Sequence, residues 1–264
     1  MEKSNQMGLI GVLHLAPTPG AVGYSDGGME RLIERALVDA SAYVEGGVGR
    51  LIVENYHDAP FFKEGVAAET IAALALAVDR VKQLDGVLDV GVNVLRNDAA
   101  AALGIAAATG AGFVRVNVHT GAMFTDQGMI EGRAAETLRL RERLAGNVRL
   151  FADVHVKHAT PIPGERLEDA ARDAVHRGRA DGLIVSGVAT GAAPEPQRVQ
   201  RVRDAIDGAV PILIGSGFSL ETAQGLLEYA DGAIVGTAAK RDGKVENAVD
   251  AARVRELLEA CRAS

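Results

Sequence analysis

The sequence has few of the residues that form disulfide frameworks or bind nucleic acids. Its 264 residues include no Trp, 4 % aromatic residues and a single Cys, Cys261. One Cys cannot form an internal disulfide, and its position in the last predicted helix favours an apolar packing role. Lys and Arg number 28 against 35 Asp and Glu, a formal net charge of −7. With no basic block, the chain would repel a phosphate backbone, so we expect no nucleic-acid partner.

The sequence also lacks the features of a membrane or secretory segment. The uncharged stretch 99–114 is rich in Ala and Gly and is shorter than the roughly 18 strongly apolar residues that span a bilayer. The apolar stretch 7–13 follows a polar start and is too short for a secretion signal with a cleavage site. We therefore expect no transmembrane segment and a cytoplasmic location.

Short β-branched runs alternate with longer Ala-rich segments of helical period along the whole chain. In the first such segment, for example, Met29, Leu32 and Ala36 fall on one helical face. This alternation is typical of βα units around a parallel sheet. Eight strands are predicted, at 9–14, 50–54, 88–95, 113–118, 148–157, 182–186, 210–214 and 232–235.

The eight units predict a single-domain α/β fold over residues 1–264. No Pro- or Ser-rich linker and no change of composition separates one part of the chain from another. Eight βα units close most simply into a (β/α)8 TIM barrel, whose functional residues gather at the carboxyl-terminal ends of the strands. An open doubly wound sheet is the alternative.

Ionisable and amide side chains occur at the ends of five predicted strands. Because strand side chains alternate in direction, Asp153, His155 and Lys157 are predicted to share the inner face of the barrel. The same alternation directs Arg115 and Asn117 inward. The remaining polar residues at strand ends are His14, Glu54, Asn93 and Arg96. Burying such groups is costly unless they are paired or bind something, so they predict either a polar ligand site or a satisfied ion network that plugs the barrel.

These residue types suit chemistry at a carbon beside a carbonyl group, which needs a base and a cation for the developing enolate. Asp153 or Glu54 could be the base, His155 an acid/base relay, and Lys157 or Arg115 the stabilising cation. Lys157 could instead form a Schiff base, although a carboxylate as near as Asp153 would raise its pKa. A divalent metal ion held by Glu54, Asp153 and His155, with His14, is a third possibility.

Small-residue loops follow the last three predicted strands. Glycine lets backbone N–H groups approach an anion closely, and barrels commonly hold a phosphate at this place. Tight turns need glycine for conformational reasons alone, which is the alternative explanation. The predicted phosphate- or substrate-binding residues in these loops are Ser186, Gly187, Gly215, Ser216, Gly217, Gly236 and Thr237; His14, Asn93 and Arg96 complete the predicted binding set.

Two predicted loops are long for connections between a strand and a helix. The loop at 119–128 could be a lid, a binding loop or an inert surface loop. The loop at 55–62 carries Phe61 and Phe62, which predicts packing over a ligand or against a neighbouring subunit. We accordingly expect a homo-oligomer.

Several long motifs resemble the BtpA family, which includes SgcQ-like proteins. They include GVLHLAPTPG, LIVENYHDAPF, GVNVLRND, FVRVNV, TDQGMIEGRA, ADVHVKH and ADGAIVGTAAKRDGKVENAVD, and the resemblance runs over about 8–258. It implies a TIM barrel. The family name derives from a role in photosystem I accumulation in cyanobacteria, whereas SgcQ-like members occur among sugar-uptake and sugar-phosphate functions. The resemblance brings no catalytic assignment with it.

Two functions from different classes follow. The first is an enzyme that isomerises, epimerises or cleaves a small phosphorylated metabolite such as a sugar phosphate. The second is a noncatalytic biogenesis or stability factor, such as one for photosystem I, with peripheral thylakoid association only in a photosynthetic organism. The polar groups on the inner face favour the enzyme, because a scaffold gains no stability from unpaired ionisable groups where Val or Leu would pack.

Overall fold

The computed structural model describes residues 7–25, 28–187 and 190–263. Eleven strands lie within these residues: β1 (Gly8–His14), β2 (Arg50–Glu54), β3 (Asp89–Asn93), β4 (Phe113–Val116), β5 (Ala122–Thr125), β6 (Gly128–Glu131), β7 (Arg149–Val154), β8 (Ala159–Pro161), β9 (Gly182–Val185), β10 (Ile212–Ile214) and β11 (Gly232–Val235). Eight of them form a closed barrel in the order β1-β11-β10-β9-β7-β4-β3-β2, and every neighbouring pair is parallel. The predicted single-domain TIM barrel is confirmed.

Eight α-helices in the described part of the chain cover the outside of the barrel. They are α1 (Gly28–Glu45), α2 (Ala68–Lys82), α3 (Ala99–Thr109), α4 (Ala134–Leu144), α5 (Leu167–Arg172), α6 (Pro196–Ile206), α7 (Leu220–Leu227) and α8 (Ala251–Ala263), and the π-helical turn Asp173–Arg177 continues α5. The helical period of the sequence predicts an apolar stripe that faces the sheet. In α1 this stripe includes Leu32, Ala36, Ala40 and Tyr43, all buried. None of the described helices has the length and apolar character needed to cross a membrane.

An apolar cluster fills the barrel interior below the carboxyl-terminal ends of the strands. It consists of Ile10, Val12, Ile52, Phe113, Phe151, Ile184, Leu213 and Ile234. The Phe113 ring occupies the space beside Gly91, where a Cβ atom would lie 2.2 Å from it. These side chains separate the polar carboxyl-terminal end of the barrel interior from its amino-terminal end, where Arg149 lies over the Phe113 and Phe151 rings and pairs with Asp89.

Three predicted strands extend too far at their carboxyl-terminal ends. Strand β3 ends at Asn93 rather than at residue 95, β4 at Val116 rather than 118, and β7 at Val154 rather than 157. In β7 the reason is local, because His155 has a φ of 49°, which is incompatible with extended backbone. The alternation of side chains therefore stops at Val154.

The segment 119–128, predicted as one long loop, contains β5 and leads through a tight turn into β6. These two strands pair antiparallel, and β8 joins the other edge of β5 to complete a three-stranded sheet. Met123 and Ile130 face inward and pack against Val118 and Val156. The segment is thus a folded unit with its own small apolar core, next to the barrel mouth.

Candidate active site at the barrel mouth

A polar layer lies directly above the apolar floor of the barrel. Ile52 is followed inward by Glu54, Phe113 by Arg115, and Phe151 by Asp153, as the two-residue period of a strand requires. The other buried polar side chains of this layer are His14, Asn93, Asn117 and Ser186. The predicted convergence of polar groups from separate strands is therefore present in the structure.

Asp153 is fully engaged by Arg115 and Asn117. The Arg115 Nε and one terminal nitrogen donate to the two oxygens of the Asp153 carboxylate, each at 2.8 Å, and Asn117 Nδ2 donates to Oδ2 at 3.2 Å. Although burial by itself lowers the pKa of Arg115, the adjacent Asp153 carboxylate and then Glu54 raise it above the usual value. Asp153 therefore anchors a permanent cation, and its oxygens are not free to accept a substrate proton.

Glu54 is the second carboxylate of the layer and has fewer partners. Its Oε2 accepts from Asn93 Nδ2 at 2.7 Å and lies 3.9 Å from an Arg115 terminal nitrogen. The side chain is buried and lines the cavity described below. Of the two carboxylates considered as a base, Glu54 is the one placed to reach a bound molecule.

Lys157 lies beyond the end of β7 and still reaches the mouth. Its main-chain carbonyl accepts from Arg96 at 2.9 Å, which fixes the backbone at this point. Burial lowers the pKa of the Lys157 amine, and the Arg115 guanidinium lowers it further, against the opposing effects of Glu54 and Asp153. An amine with a lowered pKa is a better proton acceptor and nucleophile than an ordinary lysine.

The prediction that His155 faces the inside of the barrel was wrong. Its Nε2 lies 2.9 Å from Glu165 Oε2, and His155 is absent from the residues that line the mouth. The φ of 49° at this residue turns its side chain away from the direction taken by Asp153. The predicted metal-ligand set of Glu54, Asp153 and His155 is consequently not assembled, and no cluster of three or more His, Cys, Asp or Glu suited to a metal occurs within the described residues.

The mouth contains two adjoining cavities that share Glu54, Arg115, Lys157 and Thr190. The first, of about 390 Å³, we call the glycine compartment; its wall includes His14, Gly215, Ser216, Gly217, Phe218, Ser219, Thr222, Gly236, Thr237, Ala238 and Arg253. The second, of about 290 Å³, we call the aromatic compartment; its wall includes Tyr56, His57, Ala59, Phe61, Asn93, Leu95, Arg96, Asn117 and His158.

The loops of the glycine compartment pack tightly against each other. Gly217 has a φ of 73°, and a Cβ atom there would lie 2.1 Å from the Ala193 nitrogen, so only glycine fits. Gly191 N donates to Ser216 Oγ at 3.0 Å across two of the loops. Of the predicted loop residues, Gly215, Ser216, Gly217, Gly236 and Thr237 line the cavity; Ser186 and Gly187 do not, and residues 188–189 lie outside the described part.

Sequence reasoning missed several residues of the mouth. Arg253 on α8 reaches the glycine compartment, and its Nε donates to the Ala238 carbonyl at 2.9 Å. Tyr56 and His158 line the aromatic compartment from segments outside the barrel strands. Nothing in the periodicity of α8 distinguishes Arg253 from the other arginines on its polar face, whereas the aromatic loop at 55–62 was a visible signal for Tyr56.

Lys240, at the end of the last glycine loop, points away from the mouth. It is completely buried and pairs with Asp39 of α1, whose other oxygen accepts from Val249 N at 2.8 Å. Burial lowers the pKa of Lys240, and the Asp39 carboxylate opposes this effect. The pair fastens the loop after β11 to the first helix and so positions Gly236 and its neighbours.

His14 is a buried neutral imidazole at the edge of the glycine compartment. Its ring lies 4.5 Å from that of Tyr56 between centroids, and its Nδ1 has no hydrogen-bond partner among the described residues. Burial holds the pKa of His14 well below its usual value, and the charges of Lys240 and Lys157 lower it further. His14 therefore offers a neutral hydrogen-bonding nitrogen to a bound molecule.

The lowered pKa of His14 predicts a pH-dependent stability. As the pH falls below the ordinary value of 6.5, the unfolded chain takes up a proton that the folded chain does not, so the free energy of unfolding decreases. One group contributes at most about 1.4 kcal/mol per pH unit. We expect the melting temperature of His14→Gln to fall less steeply between pH 7 and 5 than that of the unmodified chain. The exposed His176→Gln is the matched control, and equal slopes for His14→Gln and the unmodified chain would contradict the assignment.

Unpaired polar atoms argue against a fully satisfied ion network in the mouth. Three buried atoms have no partner among the described residues: Asn93 Oδ1, Asn117 Oδ1 and His14 Nδ1. His14 lines the glycine compartment, and the two asparagines line the aromatic compartment. Leaving such groups unpaired costs about 1–3 kcal/mol each. Their arrangement therefore favours a site that binds a polar molecule.

A larger cavity, of about 640 Å³, lies outside the barrel between α3, α4 and β6. Its charged side chains are largely solvated; Arg133 and Glu64, for example, are 61 % and 65 % exposed. It contains no cluster of buried ionisable groups like that of Glu54, Arg115 and Lys157. We therefore place the candidate site at the mouth despite the smaller volumes there.

Comparisons of the whole chain with known proteins agree with the motifs of the sequence. The model of the BtpA family matches residues 5–263. The photosystem I biogenesis protein BtpA of Synechocystis is 46 % identical over 96 % of this chain and 87 % of its own length. An uncharacterized protein of Thermococcus kodakarensis is 45 % identical over 95 % and 94 %, and the sgc region protein SgcQ of Escherichia coli is 33 % identical over 74 % and 71 %.

Solved structures resemble this chain in fold at low sequence identity. Thiamine phosphate pyrophosphorylase from Pyrococcus furiosus superposes with a TM-score of 0.57 at 14 % identity, covering 98 % of this chain and 97 % of its own. Phosphoribosyl anthranilate isomerase from Thermus thermophilus gives 0.57 at 11 % identity, covering 97 % and 99 %. At such identities the likeness establishes the barrel and nothing further.

Proposed function

The chain belongs to the BtpA family, and from this premise we propose that it is an enzyme that binds a small phosphorylated metabolite at the barrel mouth and acts beside a carbonyl group. One observation carries the proposal: the glycine compartment and the buried ionisable cluster share the same walls, Glu54, Arg115 and Lys157. A single small molecule can therefore contact both. Isomerisation, epimerisation and aldol-type cleavage all use such an arrangement, since each passes through a stabilised enolate or its equivalent.

The glycine compartment suits the phosphate end of the substrate. Its loops follow β10 and β11 at the carboxyl-terminal face, the region where many barrels hold a phosphate. Helix α7 begins directly after Ser219, and Arg253 adds a fixed positive charge at the edge of the cavity. Backbone dipoles, small residues and a guanidinium together favour an oxyanion.

Glu54 and Lys157 suit the reacting end of the substrate. In the simpler route Glu54 removes the proton from the carbon beside the carbonyl, and the negative charge that develops on the carbonyl oxygen is stabilised by Lys157 and Arg115. In the alternative route the neutral Lys157 amine adds to the carbonyl carbon and water leaves, forming an imine that accepts the electron pair. The lowered pKa of Lys157 favours the neutral amine that the alternative route needs, whereas in the simpler route Arg115 supplies the fixed positive charge.

The names of the two solved neighbours agree with this substrate class, since both refer to phosphorylated compounds. The noncatalytic alternative rests on the Synechocystis relative, which is named as a photosystem I biogenesis protein. The two functions differ in what the mouth should do. An assembly factor needs no affinity for small phosphorylated molecules, whereas the enzyme does.

Phosphorylated compounds are expected to raise the melting temperature of the chain. A ligand at about 100 times its dissociation constant stabilises by about 2.7 kcal/mol, or several degrees for a chain of this size. A screen of inorganic phosphate and sugar phosphates by thermal shift measures this directly. Replacement Arg253→Gln removes the charge beside the cavity and is expected to weaken binding about tenfold or more.

The control for this screen is Arg255→Gln on the same helix, where Arg255 is half exposed and pairs with Glu45 instead. It is expected to leave the shifts unchanged. If neither inorganic phosphate nor any phosphorylated sugar stabilises the unmodified chain, the proposed function is wrong. If Arg253→Gln binds as tightly as the unmodified chain, the phosphate end does not lie in the glycine compartment.

A further inference from the structure

The aromatic compartment holds two amide groups whose orientation is fixed by their neighbours. Asn93 Nδ2 donates to Glu54 Oε2 at 2.7 Å, and Asn117 Nδ2 donates to Asp153 Oδ2 at 3.2 Å. An ionised carboxylate only accepts hydrogen bonds, so each amide must turn its nitrogen toward the carboxylate. The carbonyl oxygens, Asn93 Oδ1 and Asn117 Oδ1, are left as acceptors.

Both acceptors are buried without a partner among the described residues. Asn93 is 1 % exposed and Asn117 3 % exposed, and both line the aromatic compartment. A buried carbonyl oxygen that finds no donor is costly, so a molecule in this compartment gains affinity by presenting hydrogen-bond donors to it. The two acceptors come from β3 and from the residue after β4, which are neighbouring strands.

The wall of the compartment also contains apolar and aromatic side chains. Tyr56 and Phe61 supply two aromatic rings, and Ala59 and Leu95 add aliphatic surface. A sugar carries both hydroxyl donors and a C–H surface, so it matches a compartment that combines amide acceptors with aromatic rings. A phosphate ester without hydroxyl groups matches only the apolar and aromatic side chains and leaves the amide acceptors without donors.

We propose, building on the proposed function, that Asn93 and Asn117 determine substrate specificity by accepting hydrogen bonds from two hydroxyl groups of a phosphorylated polyhydroxy compound. The phosphate occupies the glycine compartment and the hydroxyl-bearing carbons occupy the aromatic compartment. Glu54, Arg115 and Lys157 lie where the two compartments meet, so the reacting carbon lies between phosphate and hydroxyl groups.

Matched phosphate esters test this specificity. Binding of D-ribose 5-phosphate, 2-deoxy-D-ribose 5-phosphate, propyl phosphate and inorganic phosphate is measured by calorimetry on the unmodified chain. We expect ribose 5-phosphate to bind about tenfold or more tightly than propyl phosphate, because an acceptor left without its hydroxyl donor is unsatisfied. 2-Deoxyribose 5-phosphate, which lacks one hydroxyl group, is expected to bind with intermediate affinity.

Variants assign the preference to the two amides. In Asn93→Ala and Asn117→Ala the preference for the sugar phosphate over propyl phosphate is expected to fall about tenfold, while the affinity for inorganic phosphate stays the same. The exposed Asn147→Ala, before β7, is the matched control. An amide that only supports its carboxylate would change the affinity for all four compounds alike.

The outcomes separate this inference from the proposed function. If none of the four phosphorylated probes binds, the proposed function fails. If inorganic phosphate binds and the unmodified chain does not distinguish ribose 5-phosphate from propyl phosphate, the proposed function stands and the specificity inference is overturned. This comparison uses only the unmodified chain, so it holds even where a variant does not fold. A preference that persists in both folded Ala variants would also overturn it.

Discussion

Replacing Asp153 with asparagine is expected to lower the free energy of unfolding by about 3 kcal/mol or more. The Asp153 side chain is fully buried, and both of its oxygens accept from Arg115. Removing one partner of a buried ion pair leaves an uncompensated charge, which costs about 3–5 kcal/mol. Glu54 remains near Arg115 at 3.9 Å and can compensate only in part. Urea unfolding followed by circular dichroism measures the loss.

The exposed pair of Glu64 and Arg133 provides the control, because both side chains are more than half exposed. Glu64→Gln is expected to change the free energy of unfolding by less than about 0.5 kcal/mol. The double variant Asp153→Asn with Arg115→Met should be more stable than Asp153→Asn alone, since it removes the orphaned guanidinium. If Asp153→Asn is as stable as the unmodified chain, Asp153 is not the anchor of Arg115.

Replacing Lys157 with methionine is expected to slow catalysis at least about 10²-fold without destabilising the fold. The amine supplies either the stabilising cation or the nucleophile in the proposed reaction, and the loss of one group that stabilises a developing oxyanion costs about 10²–10³-fold. Burial and the Arg115 charge both disfavour the Lys157 ammonium, so its removal should leave the free energy of unfolding unchanged or slightly higher. The measurement is exchange of the proton beside the carbonyl in D₂O, followed by NMR on the sugar phosphate that gives the largest thermal shift.

The exposed Lys244→Met is the matched control and should exchange at the rate of the unmodified chain. Sodium borohydride then separates the two roles of Lys157. If an imine forms, borohydride transfers hydride to its carbon and leaves a stable secondary amine, detected as an added mass on Lys157. If Lys157 acts only as a cation, exchange occurs without an adduct. Undiminished exchange in Lys157→Met would exclude both roles.

The barrel could be predicted from the sequence because its evidence is local. Seven of the eight predicted strands begin at or within one residue of the observed start, all except β10, and β2 and β11 match at both ends. β-Branched runs and helical periods mark these elements without knowledge of their partners. Carboxyl-terminal ends were less predictable, because the strand pattern continues past the point where the backbone leaves the sheet.

Part of the candidate site could be predicted for the same reason. Glu54, Arg115 and Asp153 lie in regular strands, where alternation decides which side chains face inward. His155 has the sequence position of an inward-facing residue, but its side chain does not face inward because its backbone has a positive φ. A period-2 argument is valid only as far as the backbone stays extended.

The remaining part of the site depends on long-range geometry. The pairing of Arg115 with Asp153 requires the register of β4 against β7, where Arg115 lies opposite Phe151. Arg253 reaches the mouth only because α8 packs beside the loop after β11. Both facts concern which elements become neighbours, and a single sequence carries no local signal for them.

The buried pair of Asp39 and Lys240 joins positions 201 residues apart in the chain, and β1 pairs with β11 over a similar separation. During synthesis on the ribosome the first strand and helix emerge long before their last partners exist. The barrel therefore cannot close, nor the loop after β11 pair with α1, until residues up to about Lys240 have emerged. Nascent chains released before residue 240 should accordingly stay protease-sensitive and depend on chaperones, since such distant contacts form late and slowly.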